Sequence, residues 1–162
     1  MNIIGIDPGL VKTGWGVIAS QGNALSFIGS GVIKPPTSLP LAERLKFLHD
    51  ELQKIITLWQ PELAAIEESF IGMGGQSALK LGNARGALLL TLALAGLGVS
   101  EYSPNLIKKS VTGAGKAEKT QVAAMVKILL PQAYEQTSAD ALDALAVAIC
   151  HAHHAHAPKF SA

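Results

Sequence analysis

The chain has 162 residues, of which 49% are hydrophobic and 15% charged, with a formal net charge of +1. This length suits one domain with a real core, and the balance of apolar to charged residues excludes a chain that stays disordered. The longest apolar stretch, 86–99, is broken by Thr91 and glycines and falls short of the roughly 20 residues that cross a bilayer, so no membrane role is expected.

Residues 2–6 are apolar and β-branched and run straight into Asp7-Pro8-Gly9, which predicts a strand ending in a turn with Asp7 at its exit. Residues 13–20 and 25–34 are two further strand candidates joined by Gln21-Gly22-Asn23, so the opening third reads as an antiparallel meander. Pro35, Pro36 and Pro40 mark a linker. Leu41, Leu45, Leu48, Leu52, Ile55, Ile56 and Trp59 then recur at helical spacing until Pro61. Residues 63–66 form a short apolar run ending at Glu67 and Glu68, the pattern of a buried strand with acids at its exit. After a glycine-containing loop, a helix is predicted over 76–95, where small residues permit close helix approach. A strand at 99–102, a short helix at 105–111, a longer one at 117–130 stopped by Pro131, and a last helix from 139 to about 151 with Ser138 as N-cap complete the chain. The order predicts an α/β sandwich around a mixed sheet.

Charge is unevenly spread. Between Ile71 and Lys127 seven cations (Lys80, Arg85, Lys108, Lys109, Lys116, Lys119, Lys127) face two anions (Glu101, Glu118), which allows a cationic surface for a polyanion beside an acidic pocket. Four acids are candidates for that pocket. Asp7 and Glu67 follow buried-looking strands, and Asp140 and Asp143, three apart, share one face of a helix with little other charge. Crowded carboxylates repel one another and take up protons unless a cation neutralises them, and hard oxygen donors favour Mg²⁺ or Mn²⁺. Each acid alone has a plainer reading. Asp before Pro-Gly forms turns, Glu67 or Glu68 ends a strand in solvent, and Asp140 complements the positive end of its helix.

Together the residues resemble a known family, the RuvC Holliday-junction resolvases of the ribonuclease H-like superfamily. The resemblance rests on Gly5-Ile6-Asp7-Pro8-Gly9 with Thr13-Gly14-Trp15-Gly16-Val17, Ala65-Ile66-Glu67 followed by Phe70, and the run from Ser77 to Gly86. It continues in Ala117-Glu118-Lys119 with Gln121-Val122, and in the stretch from Ala139 to Ala146 that carries Asp140 and Asp143. It implies a ribonuclease H-like fold with a mixed five-stranded sheet flanked by helices, residues 1–157 forming one nuclease domain and 158–162 a short tail. The implied activity is a metal-dependent endonuclease that cuts four-way DNA junctions by symmetric paired nicks, leaving 5′-phosphate and 3′-hydroxyl ends, in recombination and repair. Asp7, Glu67, Asp140 and Asp143 match the family's catalytic and metal-binding acids, with two Mg²⁺ ions (or Mn²⁺) per subunit. Some relatives carry histidine where Asp140 stands. Phe70 matches an aromatic placed at the junction centre, Lys108 and Lys119 match basic residues that handle DNA, and Lys109, Lys116 and Arg85 are expected as further phosphate contacts. A homodimer, cytoplasmic location and cooperation with the RuvA and RuvB branch-migration proteins also follow from the resemblance. The helix at 76–95 is the candidate dimer face.

Two other classes fit the residues less well. A junction-binding module that does not cut is opposed by the presence of all four acids, and an actin-like ATPase or sugar kinase would need a second related domain. The terminal His151, His153, His154 and His156 beside Cys150 lack the spacing of a structural zinc site and are read as cations at a fraying helix end. The lone cysteine excludes an internal disulfide and, with no export leader at the N-terminus, suits a reducing cytosol.

Overall fold

The computed structural model describes residues 1–68, 74–133 and 137–155. Strands β1 (Asn2–Asp7), β2 (Thr13–Gln21) and β3 (Ala24–Ile33) form the expected meander, followed by helix α1 (Leu41–Trp59) and strand β4 (Leu63–Glu67). Helix α2 (Gly75–Leu94), strand β5 (Gly98–Tyr102) and helices α3 (Pro104–Thr112), α4 (Lys119–Leu129) and α5 (Ala139–Ala155) complete the order, with a 3₁₀ turn at Pro131–Ala133. The five strands make one mixed sheet in the order β3-β2-β1-β4-β5. β1, β2 and β3 pair antiparallel, while β4 runs parallel to both β1 and β5. The α/β class and the mixed sheet are as expected.

Local chemistry sets the boundaries. α1 ends where Gln60 adopts a left-handed conformation (φ 47°) ahead of Pro61, and α3 ends at Gly113 with φ 83°. α4 starts two residues later than its apolar pattern suggests. Glu118 and Gln121 form a reciprocal capping box there, so the first helical residue is Lys119. Ser138 caps α5 as expected, its Oγ accepting from the Ala141 N–H at 3.3 Å.

Because side chains alternate across a strand, each sheet face has its own residues. Ile4, Ile6, Val17, Ala64 and Ile66 pack under α1 and α2 with Leu48, Leu52, Leu88 and Leu92. The opposite face carries Ile3, Ile18 and Ala65 and is covered by α5, flanked by α3 and α4. Gly5 on β1, and Gly14 and Gly16 on β2, lie on this second face. A Cβ on Gly5 would come within 2.2 Å of the Ala144 carbonyl oxygen, one on Gly14 within 2.0 Å of the Asp140 carbonyl oxygen, and one on Gly16 within 2.6 Å of Leu145 Cδ2. The missing side chains let α5, which meets the sheet with alanines at 141, 144 and 148, lie directly on the backbone.

Candidate active site

β1 and β4 are parallel neighbours in which Ile6 pairs with Ile66, so the next residues, Asp7 and Glu67, leave the sheet edge side by side. By the alternation that puts Ile3 and Ala65 under α5, both acids face that helix. α5, seated close by its glycine track, adds Asp143. Together with Lys108, Lys119 and an apolar wall of Pro104, Ile107, Val122 and Ala146, the three acids line a cavity of about 260 Å³.

The electrostatics follow from this crowding. Asp7 is pushed up to about 8 from its ordinary 3.8, first by burial, then by repulsion from Glu67 and Asp143, and by a hydrogen bond shared with Glu67. Lys119 opposes the shift. Its Nζ donates to Asp143 Oδ2 at 3.2 Å, and its own pKa rises, chiefly through attraction to Asp143. Left to themselves, the acids hold a proton on Asp7 at neutral pH, and a cation is what would restore the carboxylate.

Whether a divalent ion fits can be judged from the donor set. Among the described residues no three acid, histidine or cysteine side chains form a finished metal cage. The three carboxylates instead line an open cavity with room for water and phosphate oxygens. Hard oxygen donors, few from the protein and the rest from water and substrate, suit Mg²⁺ or Mn²⁺.

Not every residue singled out in the sequence reaches this cavity. Asp140 does not line it. It lies in the first turn of α5, with its carboxylate 4.0 Å from Lys12 Nζ. Lys108 and Lys119 line the cavity, whereas Lys109 and Lys116 are exposed away from its walls. Arg85 is only 8% exposed. Its Nε donates to the Glu67 carbonyl oxygen at 3.1 Å and its Nη2 to the Glu101 carboxylate, so it braces the Glu67 strand end from within and is not spread on the surface for a phosphate. Phe70 lies outside the described residues.

The histidines at the end of α5 also depart from the expected frayed end. His151 is buried and shares a 2.8 Å hydrogen bond with the Tyr102 hydroxyl through Nδ1, and burial lowers its pKa. His153 meets Ser110, and His154 Nδ1 lies 2.8 Å from the Cys150 carbonyl oxygen. His156 lies outside the described residues. Sequence reasoning missed the glycine track as part of the site, although glycine alternating along β1 and β2 ahead of an alanine-rich helix is a legible sign of close approach.

A mixed five-stranded sheet whose central parallel strands each end in an acid, with a third acid supplied by the helix lying across them, defines an α/β protein of ribonuclease H-like architecture. The comparisons narrow this class. A family model described as crossover junction endodeoxyribonuclease RuvC matches residues 3–151. The crossover junction endodeoxyribonuclease RuvC of Rhodopseudomonas palustris (strain BisA53) is 56% identical over 154 residues, covering 95% of this chain and 88% of that protein. Among solved structures, Thermus thermophilus RuvC matches with a TM-score of 0.87 at 34% identity, over 96% of this chain and 95% of that one. T. thermophilus RuvC in complex with Holliday junction substrate matches with a TM-score of 0.89 at 33% identity and the same coverage. The chain belongs to the RuvC family of crossover junction endodeoxyribonucleases.

Proposed function

We propose that this chain resolves four-way DNA junctions by metal-dependent hydrolysis of one phosphodiester in each of two strands, with Asp7, Glu67 and Asp143 as the central acids. The observation that carries the reading is the convergence of these three carboxylates, from two strand ends and one helix, in a single cavity rimmed by lysines. Its support from outside the chain is the family match and the likeness to the T. thermophilus protein bound to a junction.

Two Mg²⁺ ions per subunit, or Mn²⁺ in their place, would supply charge neutralisation at the phosphate and a nucleophilic water at neutral pH. Asp7, crowded by the other two acids, is the donor whose charge a bound cation would alter most, and Asp7, Glu67 and Asp143 would hold the ions. Glu67 leaves a strand end whose main-chain carbonyl Arg85 braces, which fixes the backbone from which its carboxylate reaches the cavity. Asp143 is balanced by Lys119, whose exposed ammonium would meet a substrate phosphate. Asp140, paired with Lys12 in the first turn of α5, would be the fourth acid. The apolar wall of Pro104, Ile107, Val122 and Ala146 lowers the local polarity on one side of the acids and strengthens the charge interactions there. The products would be a nick with 5′-phosphate and 3′-hydroxyl ends.

Symmetric cutting calls for two such cavities related by a two-fold axis. Helix α2 leaves Leu79, Leu90 and Leu94 exposed, a row of apolar side chains suited to a homodimer contact. Phe70 would stack on an unpaired base at the junction centre, and Lys108, Lys109, Lys116 and Lys119 would meet backbone phosphates. We further propose residues 1–157 as one nuclease unit acting in the cytoplasm with RuvA and RuvB. Among the described residues no helix is long and apolar enough to cross a membrane.

The test is wild type against Asp7→Asn on a synthetic four-way junction, with and without Mg²⁺. Paired nicks are expected from wild type with metal, and binding with nicking slowed about 10²–10³-fold or more from the variant, the scale on which removing a key charge-stabilising group acts. Equal cutting by both proteins would remove the role given to Asp7.

A further inference from the structure

Asp7 is a wall of two cavities. Beyond its loop from the carboxylate cavity lies a second hollow of about 510 Å³, bounded by residues 7–12, by Arg44 of α1 and by Ser77, Lys80 and Leu81 of α2. Its charge is the reverse of the first. The first gathers Asp7, Glu67 and Asp143 against two lysines, whereas the second sets Arg44 and Lys80, beside a Lys12 that pairs with Asp140, against Asp7.

Arg44 is the unusual member. Its Nη2 donates to the Leu10 carbonyl oxygen at 3.0 Å, and its buried Nε has no hydrogen-bond partner among the described residues. No ion pair to a carboxylate is formed by Arg44 or Lys80 among the described residues, while exposed cations elsewhere, such as Lys46 and Lys54, do pair. A half-buried guanidinium that meets only a carbonyl keeps an uncompensated charge, and a planar fork of N–H donors is matched best by the oxygens of a carboxylate or phosphate. The loop beside it is firm. Thr13 Oγ1 donates to the Gly9 carbonyl oxygen at 2.7 Å and accepts from the Gly9 N–H at 3.2 Å, while Arg44 holds the next residue.

We propose that this second hollow is a phosphate subsite for the strand being cut. It would take a backbone phosphate close to the one in the carboxylate cavity, with Lys80 and Arg44 as its contacts and Arg44 also positioning the Asp7 loop. The inference rests on the proposed nuclease reading, because Asp7 is a wall of both cavities and a strand with its reacting phosphate at Asp7 can continue past the loop that forms the near wall of this hollow. Phosphate contacts of this kind fix the register of a strand without reading its bases.

The test measures binding of a fluorescent four-way junction in EDTA across about 50–200 mM salt, a range over which phosphate contacts dominate the affinity. Wild type is compared with Lys80→Gln, Arg44→Gln and Arg44→Lys, and with Lys46→Gln as a control on the same helix as Arg44. Each lost phosphate contact should flatten the log-affinity against log-salt line by about 0.9 and weaken binding several-fold. Arg44→Lys is expected to keep the slope yet slow single-turnover cleavage with Mg²⁺, since a lysine keeps the charge but not the fork that holds Leu10. Lys80 sits exposed on a helix surface, so Lys80→Gln decides the matter even where Arg44→Gln fails to fold. A Lys80→Gln protein with the slope and affinity of wild type, on a junction that wild type binds and cuts, would overturn the subsite and leave the nuclease reading intact. A wild type that neither binds nor cuts the junction would overturn the nuclease reading, and the subsite with it.

Discussion

The two faces of the sheet are built to different rules. Under α1 and α2 the contact is made by large branched side chains, Ile4, Ile6, Ile66, Leu48, Leu52, Leu88 and Leu92, which separate helix from strand and fill the space by volume. Under α5 the core also holds Ile3, Ile18, Leu142, Leu145 and Ile149, but at Gly5 and Gly14 the strands offer no side chain, so helix backbone lies almost on strand backbone. The first arrangement tolerates small shifts, because a side chain can adjust its rotamer. The second has no such slack, and it is the one that carries Asp143 to Asp7 and Glu67. Bulk supplies stability on both faces, and close approach at the glycines adds geometry on the α5 side.

The largest expected effect comes from breaking the close approach. Gly5→Val would drive side-chain atoms into the Ala144 carbonyl and force α5 off the sheet, a strain above the usual 1–3 kcal/mol of an overpacked core because the obstacle is backbone. Where the variant still folds, cleavage of a junction should fall by more than about 10²-fold, the loss that a misplacement of about 1 Å produces. Thermal melts alongside single-turnover cleavage separate the two effects. Wild-type activity in a folded Gly5→Val protein would show that α5 does not set the acid geometry.

The matching change on the other face should behave in the opposite way. Leu88→Ala removes a fully buried side chain and is expected to cost about 2–5 kcal/mol in denaturant unfolding, while cleavage per folded molecule stays near that of wild type. A cleavage loss as deep as that of Gly5→Val would erase the distinction between the faces.

The smallest effect is a pH dependence confined to the α5 side. Asp7 has its pKa raised in the folded protein to about 8, against 3.8 as the ordinary value, so folding takes up a proton between these limits. Its contribution is therefore full below about pH 4 and is lost as the pH rises through about 8. In metal-free buffer Asp7→Asn should melt several degrees above wild type at pH 8.5 and level with it at pH 4. Adding Mg²⁺ should stabilise wild type more at pH 8 than at pH 5, because binding displaces the proton. A difference between the two proteins that does not change with pH would mean that Asp7 is not crowded as described.

Much of the architecture was legible in the residues, for physical reasons that differ from element to element. α1 follows from seven apolar residues at helical spacing ahead of Pro61, and α5 from the Ser138 cap, both of which are local. The partnership of Asp7 and Glu67 was legible as well, since acids at the exits of two buried strands become neighbours when those strands pair in parallel. The 3₁₀ turn at Pro131–Ala133 was not anticipated, and the start of α4 shifted because a capping box at Glu118 and Gln121 outweighed the apolar pattern.

The residues alone thus determined the strands and helices, the α/β class and the family, because hydrophobic period, turn chemistry and a run of matching motifs are all written along the chain. Only the tertiary structure decided how the charged residues divide their work. Asp140 and Asp143 share a helix face, yet positions three apart differ by about 60° around the axis. The seat of α5 on Gly5, Gly14 and Gly16 turns one of them into the carboxylate cavity and leaves the other beside Lys12. In the same way Arg85 and Arg44 read alike as cations, until packing commits the first to Glu101 and leaves the second facing a hollow. Spacing sets an angle, but the surface a helix rests on decides where that angle points.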